Sequence, residues 1–287
     1  MLFKLKIGAK KSKLAFNVNN FYKKMKTNNV FFKNLKLKEL MYILFIFICL
    51  IDFTFTTLSN PNPPPTDIIP DKCKKKCDTP FNTILGINRN VIAYSNCNEF
   101  CANFDDDGAI IKAGNLPNLT QDVYTGMRWQ CVEYSRRWLV INHGVTFGSI
   151  ASAYMIWDLV KVSDVYTNKD YEFYNFANSQ TQTPPIVSDL IIYRKSEPNP
   201  DGHVGVIVNI NLEKGYVDIA EQNYSSKMWK NKTYARRIVL LKKENGNYEI
   251  LDKDYEEGRF KYHTTTDDDK NEILGWKRIG KSLDNDL

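Results

Sequence analysis

Cys131, His203 and Glu221 are the residues whose types and spacing suit acyl transfer. Cys131 lies in the run Trp129-Gln130-Cys131-Val132-Glu133-Tyr134, where a loop passes into a helix. Only the thiolate attacks carbonyls well, and the free N–H groups of a helix's first turn favour negative charge there. His203 heads the apolar stretch Val204–Ile210. Strand alternation puts Val204, Val206, Val208 and Ile210 on the core face and His203 with Gly205 on the other, where Gly205 is expected to leave room for a substrate. The only other histidines, His143 at a helix end and His263 in a polar loop, lack this setting. Glu221 follows Val217 and Ile219 in register, so its carboxylate points with apolar side chains and needs a partner. An imidazole is one, and the acid would then fix its tautomer. Asn223 could do the same work, and the local pattern does not choose between them. Taken singly, a cysteine can be inert core packing and a strand histidine a half-buried structural group. Occurring together, they point to a Cys–His–carboxylate amide hydrolase.

The elements that would carry these residues follow from periodicity. A helix is expected over about Cys131 to Asn142, stopped by Gly144, and a second over Ser149 to Val160 that buries Ala153, Ile156 and Val160. Phe81–Ile87 and Asn90–Tyr94 read as short strands around a turn at Gly86, and Phe100–Thr120 as loop with an acid cluster at Asp105, Asp106 and Asp107. Asn168–Pro185 reads as a polar surface excursion. The period then changes to two: Asp189–Arg194, His203–Leu212, Tyr216–Ala220, Tyr234–Lys242, Tyr248–Leu251 and Ile273–Ile279 are expected as strands joined by short turns. Helices first and a hairpin-linked sheet after imply an α+β fold, with helices on one face of an antiparallel sheet. No Gly-x-Gly-x-x-Gly or Walker-type loop occurs, so no nucleotide cofactor and no ATP are implied.

Charge is distributed unevenly. Residues 1–40 hold 11 Lys, no Arg and one acid, Glu39; the whole chain is +6, so the remainder is net negative. The basic balance thus belongs to the leader, and no nucleic-acid partner is indicated. Residues 41–58 form an apolar run interrupted by Asp52, marginal against the roughly 20 residues of a stable span and suited to a signal peptide or signal anchor. The leader's lysines would keep the N-terminus cytosolic and send the rest across. The expected location is secreted or luminal, with a membrane tether if the run is retained. Residues 59–79 read as a linker containing prolines and cysteines, followed by one domain over 80–280. Cys73, Cys77, Cys97 and Cys101 form two Cys-x3-Cys units, which could close two disulfides in any of three connectivities or hold zinc. Sequons stand at Asn118, Asn223 and Asn231.

The motifs also resemble a known family. The block Trp129-Gln130-Cys131-Val132-Glu133-Tyr134-Ser135-Arg136-Arg137, then Gly202-His203-Val204-Gly205, Ile219-Ala220-Glu221-Gln222-Asn223 and Ile273-Leu274-Gly275-Trp276, resembles the CHAP (cysteine, histidine-dependent amidohydrolase/peptidase) domain. It is most like the amidase domain of bifunctional glutathionylspermidine synthetase/amidase and of trypanothione synthetase. The resemblance implies a papain-like fold with no cofactor or catalytic metal. Cys131 would be the nucleophile, His203 the base and Glu221 the orienting acid. It further implies that Arg136 and Asn223 contact the glutathionyl part of a substrate and that Gln130 shapes the oxyanion site. The implied substrate is a glutathionyl-polyamine amide, cleaved to glutathione and polyamine. Export would instead favour a peptidoglycan or peptide amidase, or a non-catalytic domain that binds cell-wall fragments. No ATP-dependent synthetase domain is expected, since only a few polar residues follow Trp276.

Overall fold

The structure, a computed structural model, describes residues 2–4, 15–17, 60–64, 69, 71–74, 76–97, 101, 108–197, 199–225, 227–257 and 272–283. The chain divides into two compact units, Met1–Leu58 and Ser59–Leu287. In the first, strands β1 (Leu2–Lys4) and β2 (Ala15–Asn17) pair antiparallel. The rest of the basic leader and the apolar run 41–58 lie outside the described residues, as do the acid cluster at 105–107 and His263. Among the described residues, no helix is long and apolar enough to cross a membrane.

The second unit contains a hairpin of β3 (Ile84–Asn88) and β4 (Val91–Tyr94). Its turn falls at Arg89 and Asn90, both at positive φ (42° and 66°), and not at Gly86 as expected. The glycine has a different purpose: a Cβ on Gly86 would stand 2.2 Å from the Trp229 ring. Within the stretch read as a linker, Asn62 is buried. Its carboxamide accepts from the Ile92 N–H (3.0 Å) and donates to the Asn90 carbonyl (2.7 Å), which fastens the segment to this hairpin. A second hairpin, β5 (Gly108–Ile111) and β6 (Val123–Met127), stands where part of a loop was expected. It buries Ala109, Ile111 and Val123, an alternation too short to be distinctive in sequence.

Helix α1 (Cys131–His143) follows β6 and ends at Gly144, whose left-handed conformation (φ 68°) lets its N–H close on the Val140 carbonyl. It is the one α-helix among the described residues. The expected second helix is a 3-10 segment, Ala153–Asp158, with the N–H of Met155 bonded to the Ser152 carbonyl and that of Leu159 to Ile156. Ala153 and Ile156 are buried, but a spacing of three suits a 3-10 turn as well as an α-helix, and Val160 is 77% exposed. The expectation of two helices over the sheet therefore reduces, among the described residues, to one α-helix, and the architecture is mainly β.

The main sheet comprises β7 (Val145–Thr146), β8 (Lys161–Asp164), β9 (Asp170–Ala177), β10 (Leu190–Tyr193), β11 (His203–Asn211), β12 (Tyr216–Ala220), β13 (Arg236–Lys242), β14 (Tyr248–Asp254) and β15 (Ile273–Ser282). Their order is β14-β13-β12-β11-β10-β15-β9-β8-β7, and every pairing is antiparallel, as expected. Strand β9 occupies the supposed surface excursion. It pairs with β15 along most of its length, with Phe173 buried and Phe176 stacked on Trp276.

Each face of the sheet covers a core. Trp138 and Leu139 of α1 pack with Leu190, Ile192, Val204 and Val206 on one side; Ile191, Ile207, Val217, Ile219, Ile238 and Trp276 pack on the other. Burial of each such side chain contributes about 1.5–3 kcal/mol. A register shift between Ile207 and Asn209 alters the alternation of β11, so Ile210 joins the second core and not the face of Val204. Buried Lys277 on β15 donates to the carbonyls of Leu159 (2.6 Å), Trp157 (3.1 Å) and Phe173 (3.3 Å), which ties the 3-10 segment to the sheet.

Candidate active site

The first turn of α1 presents Cys131, a buried free thiol at 8% exposure, beside the end of β11. Gln130 caps the helix in an extended conformation, and its side chain makes no capping bond. The first-turn N–H groups have no acceptor within the helix, so they favour negative charge at its head, where Cys131 stands.

His203 is 2% exposed. Its Nε2 lies 2.9 Å from Oε2 of Glu221, and the Cys131 thiol is the other group that acts electrostatically on the ring. With Nε2 committed to the carboxylate, Nδ1 is the nitrogen left for the thiol. Register explains the meeting. Val206 pairs with Ala220 and Ile207 with Ile219, so Glu221 lies beyond the pairing, level with Gly205 and on the face of His203. A Cβ on Gly205 would stand 2.6 Å from Ile219 and 3.4 Å from Glu221 Oε2. The space beside the imidazole is thus filled by the acid and its neighbour, and not by a substrate as expected.

Burial opposes charge on both groups, and specific partners outweigh it. Interaction with Cys131 and then Glu221 raises the His203 pKa to about 9, against desolvation. The Arg236 guanidinium, and next His203, bring Glu221 down to about 2, again against desolvation. An ionised acid behind a protonatable imidazole beside a thiol can stabilise a thiolate–imidazolium pair.

Arg236 was not anticipated from sequence. Its Nε donates to Glu221 Oε1 (2.5 Å) and its Nη2 to Oε2 (3.1 Å). Ile219 pairs with Arg236 across β12 and β13, which places the guanidinium beside the end of β12. The Arg236-Arg237 doublet in a strand was the available signal, because alternation sends one to each face. Arg237 accordingly turns to Asp218 (2.6 Å).

The expected substrate contacts fall into two groups. Asn223 donates to Gln130 Oε1 (2.7 Å) and accepts from Asn96 (3.0 Å), so Gln130 and Asn223 meet beside the nucleophile. This pairing also makes Asn223 the least accessible of the three sequons. Arg136 is buried in the framework, donating to the carbonyls of Thr125 (3.0 Å) and Gly148 (2.9 Å), with its guanidinium 4.6 Å from the Phe147 ring centre. Beneath the helix turn, Glu133 and Arg137 form a fully buried ion pair (2.7 Å). Gln222 joins it, donating to Glu133 (3.1 Å) and to the Gln130 carbonyl (3.2 Å).

The four paired cysteines are Cys73–Cys101 and Cys77–Cys97, nested one within the other, which settles the connectivity and leaves no thiolates for zinc. Cys97 adjoins Asn96, so the inner disulfide leads by one residue to the Asn96–Asn223–Gln130 chain.

Residues 122–223 match the CHAP domain family, in agreement with the resemblance read from the motifs. The chain is 30% identical over 202 residues to the bifunctional glutathionylspermidine synthetase/amidase of Escherichia coli (strain K12), covering 69% of this chain and 29% of that protein. It is 33% identical over 135 residues to a trypanothione synthetase of Crithidia fasciculata, covering 47% and 20% respectively. A glutathionylspermidine synthase of the same organism is 30% identical over 131 residues, 45% of this chain and 18% of its own length. The chain thus spans less than a third of the length of each of these relatives.

Proposed function

We propose that the chain is a cysteine-dependent amide hydrolase with Cys131 as nucleophile, His203 as proton carrier and Glu221 as orienting acid. The observation that carries this reading is one buried imidazole hydrogen-bonded to the Glu221 carboxylate and interacting electrostatically with the Cys131 thiol. The Cys131 thiolate attacks the amide carbonyl and a tetrahedral oxyanion forms. The Cys131 backbone N–H, at the head of α1, and the Gln130 side-chain amide stabilise that charge. The C–N bond breaks as His203 gives its proton to the leaving amine, which leaves a thioester on Cys131. Neutral His203 then takes a proton from water; the hydroxide adds to the thioester and expels the Cys131 thiolate.

The substrate proposed is a glutathionylspermidine-like amide, cleaved to glutathione and the polyamine. The CHAP match and the similarity to a protein named synthetase/amidase support it. A second reading, an exported peptide or peptidoglycan amidase, is favoured by the two disulfides, since such bonds persist in oxidising compartments. Incubating native protein and Cys131→Ala with glutathionylspermidine and with muropeptides separates the two. Native protein that cleaves neither and is not alkylated at Cys131 by iodoacetamide would refute the enzymatic reading. The first residue of the mature protein, read with a non-reducing peptide map, tests export: an intact Met1 with all four thiols free would exclude it.

A further inference from the structure

Behind the carboxylate, Arg236 makes more bonds than an ion pair needs. Its Nε and Nη2 address separate oxygens of Glu221, in the side-on fork that fixes a carboxylate's plane as well as its position. The guanidinium is itself held on every side. Nη1 donates to Asp252, Nη2 also donates to the Tyr193 hydroxyl (2.9 Å), and the Tyr224 ring lies 3.5 Å from its central carbon. Asp252 is fixed in turn by the hydroxyls of Tyr193 (3.2 Å) and Tyr224 (2.8 Å). The two tyrosines also flank the imidazole, with ring centres 5.5 Å and 5.0 Å from that of His203. The groups facing Glu221 and His203 thus come from α1 (Cys131 and Tyr134), β10 (Tyr193), β13 (Arg236), β14 (Asp252) and the segment after β12 (Tyr224).

We propose that Arg236 is a positioning residue: gripping both oxygens of Glu221 and braced by Asp252, Tyr193 and Tyr224, it aims one carboxylate oxygen at His203 Nε2. It touches neither thiol nor substrate and acts only through Glu221. The inference rests on the reading of Cys131, His203 and Glu221 as one unit. Charge alone makes the opposite prediction, because removing a cation near an imidazolium should favour that imidazolium.

The rate of Cys131 alkylation by iodoacetamide against pH reads the thiolate–imidazolium pair without any assumed substrate. Arg236→Gln should move the acid midpoint of that profile upward by about one pH unit or more, as Glu221 loses its orientation and protonates more readily. Arg236→Lys, which keeps the charge without the fork, should move it part of the way. In a Glu221→Gln background, Arg236→Gln should add no further shift. A downward or absent shift in Arg236→Gln, a native profile in Arg236→Lys, or a further shift in the double variant would each overturn the proposal. If Arg236→Gln fails to fold, Arg236→Lys decides alone. A native profile in Glu221→Gln itself would instead refute Glu221 as the acid, a separate failure.

Discussion

Glu221 and Gln222 are adjacent in sequence, yet they join two different buried networks. Glu221 faces His203 and Arg236; Gln222 turns the other way, to the Glu133–Arg137 pair under α1. The networks are alike in burial and density of bonds but differ in what they hold. The one under the helix links distant segments: Arg137 donates to the Ile92 carbonyl (2.7 Å) and to the Asn62 side-chain oxygen (2.6 Å), while Gln222 accepts from the Tyr94 N–H (2.8 Å). It makes no contact with His203. The one behind the imidazole ends on a ring nitrogen. On the function proposed above, ion pairs of similar appearance would serve stability in one place and proton transfer in the other.

The largest effects should come from the groups that both networks surround. Cys131→Ala should abolish amide hydrolysis, by a factor on the order of 10⁴ or more, while circular dichroism and the melting midpoint stay close to native. Retention of more than a few per cent of turnover would remove Cys131 from the reaction. Next in size is the network under the helix. Glu133→Gln should leave Arg137 charged and unpaired, at a cost of about 3–5 kcal/mol in urea unfolding. Glu221→Gln should act mainly on the alkylation profile. If Glu133→Gln proved harmless to stability while suppressing alkylation in fully folded protein, the division of labour would be wrong.

A pH series sharpens the comparison, because His203 and Glu221 of the second network both have displaced pKa values. The folded pKa of His203 is raised from 6.5 to about 9, so its contribution is complete below 6.5 and is lost as pH rises through about 9. The folded pKa of Glu221 is depressed from 4.5 to about 2, so its contribution is present above 4.5 and is lost as pH falls through about 2. Urea unfolding of native protein should therefore lose about 1–3 kcal/mol between pH 6.5 and 9.5. In His203→Asn that alkaline slope should flatten, and an unchanged slope would show that another group is responsible.

How much of this was legible in the sequence depends on the range of the interaction. Helix α1 was readable because its period and the Gly144 stop are local, and His203 and Glu221 because alternation fixes a face within a single strand. Arg236 needs the pairing of β12 with β13, and Asp252 that of β13 with β14, which no local pattern gives. Gly86 and Gly205 looked like a turn and an open space; each makes way for a side chain distant in sequence or on the next strand. Strand β9 was hidden because its outward residues, among them Tyr174 at 41% exposure, diluted an apolar face of Phe173 and its neighbours. The 3-10 segment reads as a helix because two buried residues three apart, Ala153 and Ile156, fit both periods.

The smallest expected effect tests the comparison most closely, because it concerns two adjacent arginines with the same bonding geometry. Arg237 grips Asp218 through Nε (2.6 Å) and Nη2 (3.0 Å), as Arg236 grips Glu221, but on the opposite face and at 32% side-chain exposure. Asp218 keeps a second donor, Asn209 at 2.9 Å, so loss of the guanidinium does not strand the carboxylate. Arg237→Gln should therefore cost only about 1–2 kcal/mol in urea unfolding. It should leave the pH profile of Cys131 alkylation superimposable on native, whereas Arg236→Gln shifts it. If both arginines moved the profile alike, the effect would lie in the net charge of β13, and the separate task assigned to the Glu221 network would have no support.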